Sequence, residues 1–226
     1  DAVCHVLCRG FYQHETEDLL VDLDYGELNN VLAIRGDERY GRNISNGNGV
    51  NHYASDLVAQ IRNMNNGLYL GGEKLEPTDF CIGVAGYPET HSESRSSIHD
   101  LENLKIKVDS GADYIITQMC YNNEAIFRFL DSCQDIGINV PIIPGLNPIL
   151  SVKDFEIIPR RFGVTIPENI ADEFYTNKDV KEASVSCLVK QSEELLQYGV
   201  PDLHFYTEGR NSKIEIIKEA CRRIYG

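Results

Sequence analysis

The sequence has few basic side chains and no long apolar run. Its 226 residues hold 21 Lys and Arg against 35 Asp and Glu, which gives a net charge of −14. Phosphates are repelled by such a chain, so a general nucleic-acid binder or a protein of anionic membranes is disfavoured. No apolar stretch approaches the roughly 18 residues of a transmembrane helix, and no signal peptide is visible. We therefore expect a cytoplasmic protein.

Several common site signatures are also lacking. No Gly-x-Gly-x-x-Gly follows an apolar run and no P-loop occurs, which disfavours a Rossmann nucleotide site. The seven cysteines are an odd number scattered through apolar segments, which is typical of buried free thiols in a reducing compartment. Cys4 and Cys8 lie too far apart on a predicted strand to share an ion, so we predict no metal site.

Short apolar runs alternate with helical patterns along the whole chain. Such runs are typical of parallel strands buried on both faces. They span Val3 to Leu7, Val31 to Arg35, Cys81 to Ala85, Tyr114 to Gln118, Pro141 to Leu146, and Leu203 to Tyr206. Helical spacing of apolar residues predicts helices between them, including Thr16 to Leu28, Asp179 to Tyr198, and a last helix with Ile214, Ile217 and Cys221 inward, capped by Asn211 or Ser212.

This alternation predicts an α/β fold built from right-handed βαβ units. Two closures fit the pattern, a doubly wound open sheet and a (β/α)8 barrel. The barrel usually takes about 250 residues, so six units here and two units before Asp1 would complete eight. On the barrel hypothesis, residues 1–226 form a single catalytic barrel domain that is incomplete at its N-terminus.

Polar residues cluster just after the predicted strands, where barrel active sites lie. Taken singly, each has an ordinary explanation. Asp37 could cap the turn at Gly36, and Lys107 could be a solvated helix lysine. Gln118 is about as easily a buried structural amide as a ligand contact.

Taken together, the residues form an ordered set of motifs. These are His5-Val6-Leu7-Cys8, Ala33-Ile34-Arg35-Gly36-Asp37, Tyr53-Ala54-Ser55-Asp56-Leu57-Val58, Val84-Ala85-Gly86-Tyr87-Pro88-Glu89, His91-x-Glu93, Asp100-Leu101-x-Asn103-Leu104-Lys105-x-Lys107-Val108-Asp109, Ile115-Ile116-Thr117-Gln118, Pro141-Ile142-Ile143-Pro144-Gly145 and His204-Phe205-Tyr206-Thr207. The whole chain thereby resembles the methylenetetrahydrofolate reductases.

The resemblance implies a (β/α)8 TIM-type barrel, of which this chain supplies strands 3 to 8. It implies FAD at the C-terminal face of the strands and a ping-pong oxidoreductase. NADH or NADPH reduces the flavin, and the flavin then passes a hydride to 5,10-methylenetetrahydrofolate, giving 5-methyltetrahydrofolate. The partners implied are these small molecules, and a homo-oligomer is left open.

The resemblance also assigns site residues. FAD-contacting positions match His5, Arg35, Gly36, Asp37, Tyr53, Ala54, Tyr87, His91, Asp100, Asn103 and Lys107. Substrate-binding positions match Gln118, Phe174, Tyr206 and Arg210. Asp37 matches a catalytic carboxylate near the flavin and the pterin, where its charge would disfavour anionic reduced flavin and stabilise the cationic iminium form of the folate.

This sequence departs from the family pattern in three places. Met119, Cys120 and Tyr121 stand where aromatic residues are usual. Glu208-Gly209-Arg210 stands where Leu-Asn-Arg is frequent, which bears on substrate binding. The first two strands, with the glutamate expected as general acid, would lie before Asp1. That third departure motivates an alternative, a non-catalytic or degenerate flavin- or folate-binding subunit of a complex. A different barrel enzyme that shares the flavin site is a further alternative.

Overall fold

The computed structural model describes residues 2–36, 49–72, 74–90, 94, 96–177 and 179–226. Strands and helices alternate along this part of the chain. The strands are β1 (Val3–Leu7), β2 (Asn30–Ile34), β3 (Cys81–Gly86), β4 (Tyr114–Met119), β5 (Ile142–Leu146) and β6 (His204–Phe205). The helices are α1 (Gln13–Tyr25), α2 (Ala54–Asn65), α3 (Ser97–Asp109), α4 (Asn123–Asp135), α5 (Asp154–Phe162), α6 (Glu168–Thr176), α7 (Val180–Tyr198) and α8 (Asn211–Tyr225).

The sheet order decides between the two closures that the sequence left open. The six strands are hydrogen-bonded in the order β1-β2-β3-β4-β5-β6. The β1–β2, β2–β3 and β5–β6 pairs are parallel. A doubly wound sheet reverses its strand order at a switch point, whereas a barrel adds each strand beside the previous one. The order is therefore that of a partial TIM-type barrel, and the assignment to strands 3 to 8 stays a prediction.

The described chain divides into two compact units. The first unit comprises Asp1–Gly86, Leu101–Ile115 and Ile138–Pro141, and the second comprises Tyr87–Asp100, Ile116–Gly137 and Ile142–Gly226. The first unit buries side chains of α1, α2, β2 and β3, among them Leu20, Leu57, Ile61, Val31 and Ile82. The second unit holds two buried clusters, one around Leu146, Leu188 and Ile216 and the other around Met119, Ile158 and Phe174.

Two short helices, α5 and α6, were absent from the sequence prediction. Pro159 lies inside α5, where a proline normally interrupts a helix. The helix ends soon afterwards, because Gly163 takes a left-handed conformation with φ 68°. Only about one turn of helix therefore follows the proline.

The inward face of α8 differs from the predicted one by one residue. Lys213, Ile216 and Ala220 are buried, whereas Ile214, Ile217 and Cys221 are only half-buried. The predicted cap is also wrong, since the N-cap residue is Arg210 and no side chain caps the helix. The apolar pattern did not reveal this face, because a lysine occupies one of its buried positions.

All seven cysteines are free, as the sequence predicts. Cys8, Cys120 and Cys133 are buried as predicted, Cys4, Cys187 and Cys221 are only half-buried, and Cys81 is exposed, so the prediction of burial is wrong for Cys81. Within the described residues, no helix has both the length and the apolar character needed to cross a membrane.

Candidate active site

In the first unit, the carboxyl ends of β1 and β2 each carry an arginine. The main-chain N–H of Cys8 donates to the Ile34 carbonyl oxygen, and that of Arg9 donates to the Arg35 carbonyl oxygen, both across 3.0 Å. Backbone pairing thus continues past the two strands. Gly36 follows with φ 83°, a conformation that favours glycine, and a Cβ on it would lie 3.6 Å from the Arg9 Cβ. This sheet edge therefore places two arginines side by side.

The charges of the two arginines affect the pKa of the Cys8 thiol. Burial, with a smaller effect of the Asp56 charge, raises the pKa of Cys8 to about 12. The charges of Arg35 and Arg9 act in the opposite direction. The thiol therefore stays protonated at neutral pH.

The N-terminus of α2 lies in the same unit. The Asp56 carboxylate accepts hydrogen bonds from the main-chain N–H groups of His52 and Tyr53, at 3.0 and 2.9 Å. The Tyr53 side chain is 63% exposed, and Ala54 begins the helix. A helix N-terminus favours anions, because its first N–H groups and the helix dipole point outward.

Three amides fix the segment that leads into this helix. Asn51 accepts from Gln13 Nε2 at 3.0 Å and donates to Gln60 Oε1 at 2.6 Å. Gln60 Nε2 in turn donates to the main-chain oxygen of Gln13 at 2.8 Å. Since Asn51 and Gln60 are buried, these bonds are shielded from water. Asn51, two residues before Tyr53, is therefore bonded to both α1 and α2.

The other predicted cofactor residues of the first unit lie on β1 and α3. The Lys107 ammonium donates to the Ala85 carbonyl oxygen at 2.5 Å, which ties α3 to the end of β3. His5 on β1 and Asn103 on α3 are exposed. In the second unit, Asp100 lies in the first turn of α3 and its N–H donates to the Ser96 carbonyl oxygen.

Gln118 lies near the end of β4 in the second unit and is half-buried. Its Oε1 accepts from the main-chain N–H of Met119 at 3.0 Å. Among the described residues, none accepts a hydrogen bond from its Nε2. The amide nitrogen thus keeps both donors for a ligand, while the oxygen is held by the strand.

Tyr206 packs against the backbone of β5. Its hydroxyl donates to the Thr117 carbonyl oxygen at 2.8 Å, and a Cβ on Gly145 would lie 2.6 Å from its ring. Burial raises the pKa of Tyr206 to about 12, and the nearby Tyr87 adds to the effect. The Tyr206 ring is therefore in close contact with the sheet, and Tyr87 is near enough for its charge to affect the Tyr206 hydroxyl.

Phe174 on α6 is 2% exposed. It makes an edge-to-face contact with Phe155, with ring centroids 5.4 Å apart, and Tyr206 packs against the same buried cluster. The structure thus brings two of the predicted substrate residues together, and Phe174 lies inside the core.

The turn after β6 carries Arg210, whose side chain is exposed. In the described part of the chain, its guanidinium makes no hydrogen bond or ion pair. The preceding Glu208 instead pairs with Lys213, Nζ to Oε1, at 2.5 Å. Arg210 is therefore available to an anionic ligand.

Two predicted residues, Asp37 and His91, lie outside the described residues. Sequence reasoning missed two others, Arg9 and Lys213. Arg9 follows β1 as Arg35 follows β2, so its position was itself a signal. Lys213 could have been found as a lysine spaced three and seven residues before Ile216 and Ala220, on what proves to be the buried face of α8.

Comparison with known sequences decides the family. The sequence model of the family "Methylenetetrahydrofolate reductase" matches residues 1–221. The chain belongs to the methylenetetrahydrofolate reductase family. This confirms the resemblance drawn from the ordered motifs.

Individual members of the methylenetetrahydrofolate reductase family agree with this chain over most of its length. Methylenetetrahydrofolate reductase 1 of Schizosaccharomyces pombe is 34% identical over 97% of this chain and 35% of its own length. The 5,10-methylenetetrahydrofolate reductase of Escherichia coli is 34% identical over 93% of this chain and 66% of its own. A rice relative, named "probable methylenetetrahydrofolate reductase (NADH)", is 32% identical over 92% of this chain. The chain thus spans about a third of the yeast relative and two thirds of the bacterial one.

Proposed function

We propose that the protein is a flavoprotein oxidoreductase that reduces 5,10-methylenetetrahydrofolate to 5-methyltetrahydrofolate with NADH or NADPH. The match of the family model to residues 1–221 carries this proposal. The name of the rice relative supports NADH as one reductant. The chemistry that bound FAD supplies is hydride transfer in two successive half-reactions, from the nicotinamide and then to the folate.

The residues of the first unit suit the pyrophosphate of FAD. Arg9 and Arg35 lie at adjacent strand ends, and guanidinium groups bind phosphate oxygens through paired hydrogen bonds. The N-terminus of α2, just after the exposed Tyr53, offers positive dipole potential in a chain whose net charge is −14. His5, Gly36, Ala54, Asn103 and Lys107 are proposed as further FAD contacts of this unit, on the strength of their motifs alone. Tyr87, His91 and Asp100 stay predictions of the sequence.

The residues of the second unit suit the folate. Gln118 keeps both N–H donors of its amide nitrogen while its oxygen is held by the Met119 N–H, so the two donors can pair with acceptors on the pterin edge. The exposed Arg210 can meet a carboxylate of the glutamate tail. Phe174 and Tyr206 would shape the apolar wall from one buried cluster. Asp37 stays the proposed catalytic carboxylate, on the strength of its motif alone.

Visible absorption tests this proposal directly. The purified protein is titrated with FAD, then mixed with NADH or NADPH without oxygen, and then with methylenetetrahydrofolate. We expect a bound-flavin spectrum that bleaches with the nicotinamide and recovers with the folate.

The three stages separate the possible failures. Bleaching without recovery would contradict folate reduction and favour a binding subunit. A protein that takes up no FAD would contradict the flavoprotein assignment altogether.

A further inference from the structure

The turn between β6 and α8 is held in an unusual conformation. Glu208 has φ 47° and Gly209 has φ 70°, so two consecutive residues are left-handed. A non-glycine residue rarely adopts this region without local support. At Glu208, that support comes from the side chain.

The support is an ion pair with a buried lysine. The Lys213 side chain is 3% exposed, and its ammonium donates to Glu208 Oε1 and to Asn147 Oδ1, each at 2.5 Å. Asn147, which follows β5, is itself buried and donates to the Met119 sulfur at 3.1 Å. A buried ammonium is tolerated only when acceptors surround it, and these two acceptors come from different strand ends.

Glu208 also lies close to two exposed arginines. Its Oε2 is 3.7 Å from Arg161 Nη1, and the charge of Arg210 acts on it as well. Burial alone would raise the pKa of Glu208. The hydrogen bond from Lys213 and the charges of Lys213, Arg210 and Arg161 nevertheless lower that pKa below its ordinary value. The carboxylate is thus ionised, and three cations compete for it.

We infer that Lys213 is a positioning residue that keeps Glu208 away from Arg210. Lys213 holds the carboxylate on the buried side of the turn, so the Arg210 guanidinium stays free for a carboxylate of the substrate. Without Lys213, the cations nearest to Glu208 would be Arg161 and Arg210. An Arg210–Glu208 pair would then compete with the ligand. The inference rests on the proposed function, which supplies a ligand with a carboxylate tail.

Equilibrium binding of two ligands tests this role. The first ligand is methyltetrahydrofolate, which carries the glutamate tail, and the second is a tetrahydropterin without that tail. Lys213→Met should weaken binding of the first about tenfold, the size of one charge-assisted hydrogen bond, and leave binding of the second unchanged. Lys218→Met, an exposed lysine on the same helix, is the matched control.

A paired variant guards against simple loss of folding. Lys213→Met alone leaves Glu208 without its main partner, whereas Glu208→Gly with Lys213→Met removes both charges and places at φ 47° a residue that adopts this conformation without side-chain support. The double variant should bind both ligands as the wild type does. Glu208→Gln should also leave folate affinity unchanged, because the wild-type carboxylate is already held by Lys213.

Several results would overturn the inference. Equal loss of both ligands in Lys213→Met would mean general damage, and a double variant that stays weak for folate would exclude competition by Glu208. Tighter folate binding by Glu208→Gln would show that the carboxylate competes even in the wild type. If the wild type binds neither ligand, the proposed function fails and the inference with it. If the wild type binds both ligands and a variant gives any of the contrary results above, the inference about Lys213 fails but the proposed function stands.

Discussion

The Tyr206 hydroxyl donates a hydrogen bond to the Thr117 carbonyl oxygen across 2.8 Å. Thr117 in turn accepts from the Gly145 N–H through its Oγ1, at 2.8 Å. Residues that belong to β4, belong to β5 or follow β6 are thus linked by side chains as well as by the sheet. Gln118 is the next residue along β4. The linkage therefore fixes the part of the strand that carries this proposed folate-binding residue.

Tyr206→Phe tests the contribution of that bond. The phenyl ring can still pack on Gly145, but the Thr117 carbonyl loses its side-chain donor. We expect the free energy of unfolding to fall by about 1 kcal/mol, the usual net value of one hydrogen bond. Urea denaturation measures the change, with Tyr225→Phe as an exposed control. A stability equal to that of the control would mean that the bond contributes nothing.

Gly145→Ala tests the close approach at the same place. A Cβ would lie 2.5 Å from the Thr117 oxygen and 2.6 Å from the Tyr206 ring, and the oxygen belongs to backbone that cannot move alone. We expect a loss of about 1–3 kcal/mol in the free energy of unfolding. Gly26→Ala is the control, because its Cβ would make ordinary contacts at 3.4 Å and its φ is negative. Equal stability of the two variants would refute the steric argument.

Gln118→Glu should separate the two half-reactions. Glutamate can still accept from the Met119 N–H, but it removes the two amide donors and adds a charge. We expect a higher KM for methylenetetrahydrofolate, about tenfold or more, with flavin reduction by NADH unchanged. Stopped-flow measurement of each half-reaction gives the answer, with the exposed Gln197→Glu as control. Unchanged folate kinetics would remove Gln118 from the substrate site.

Arg35→Met and Arg9→Met should each weaken FAD binding. Both arginines lie at the edge proposed for the pyrophosphate, and one guanidinium–phosphate contact contributes roughly tenfold in affinity. Fluorescence titration with FAD measures the dissociation constants. Arg160→Met, an exposed arginine on α5, is the control. If Arg35→Met weakens FAD binding and Arg9→Met does not, Arg9 makes no contribution to FAD binding despite its position.

The raised pKa of the Cys8 thiol predicts that the free energy of unfolding falls at alkaline pH. Its pKa is raised from 9.0 to about 12 in the folded chain, chiefly by burial, so between these values only the unfolded chain gives up the proton. The stabilisation is complete below pH 9.0 and is lost as pH rises towards 12, by about 1.4 kcal/mol per pH unit. Urea denaturation on both sides of pH 9.0 should show a shallower decline in Cys8→Ala. Parallel curves for the two proteins would contradict the assignment.

The sequence by itself determined the strands and the family. Val3–Leu7 was predicted to the residue from its short apolar run, although Val6 alone of this strand is buried in the structure. The helix of Leu57, Val58 and Ile61 was equally clear, because its apolar period leaves one face to bury. The ordered motifs needed no structure, because they are local strings of residues.

Only the tertiary structure decided how distant residues meet. Nothing in the sequence paired Lys213 with Asn147, 66 residues away, or set Tyr206 on Thr117, 89 residues away. Such contacts depend on strand order and on which face of a helix is buried. Neither can be predicted from the local helix and strand propensities of the residues. Lys213 is an example. From its charge alone the side chain is expected to be exposed, but in the structure it is buried because two acceptors from separate strand ends bind its ammonium group.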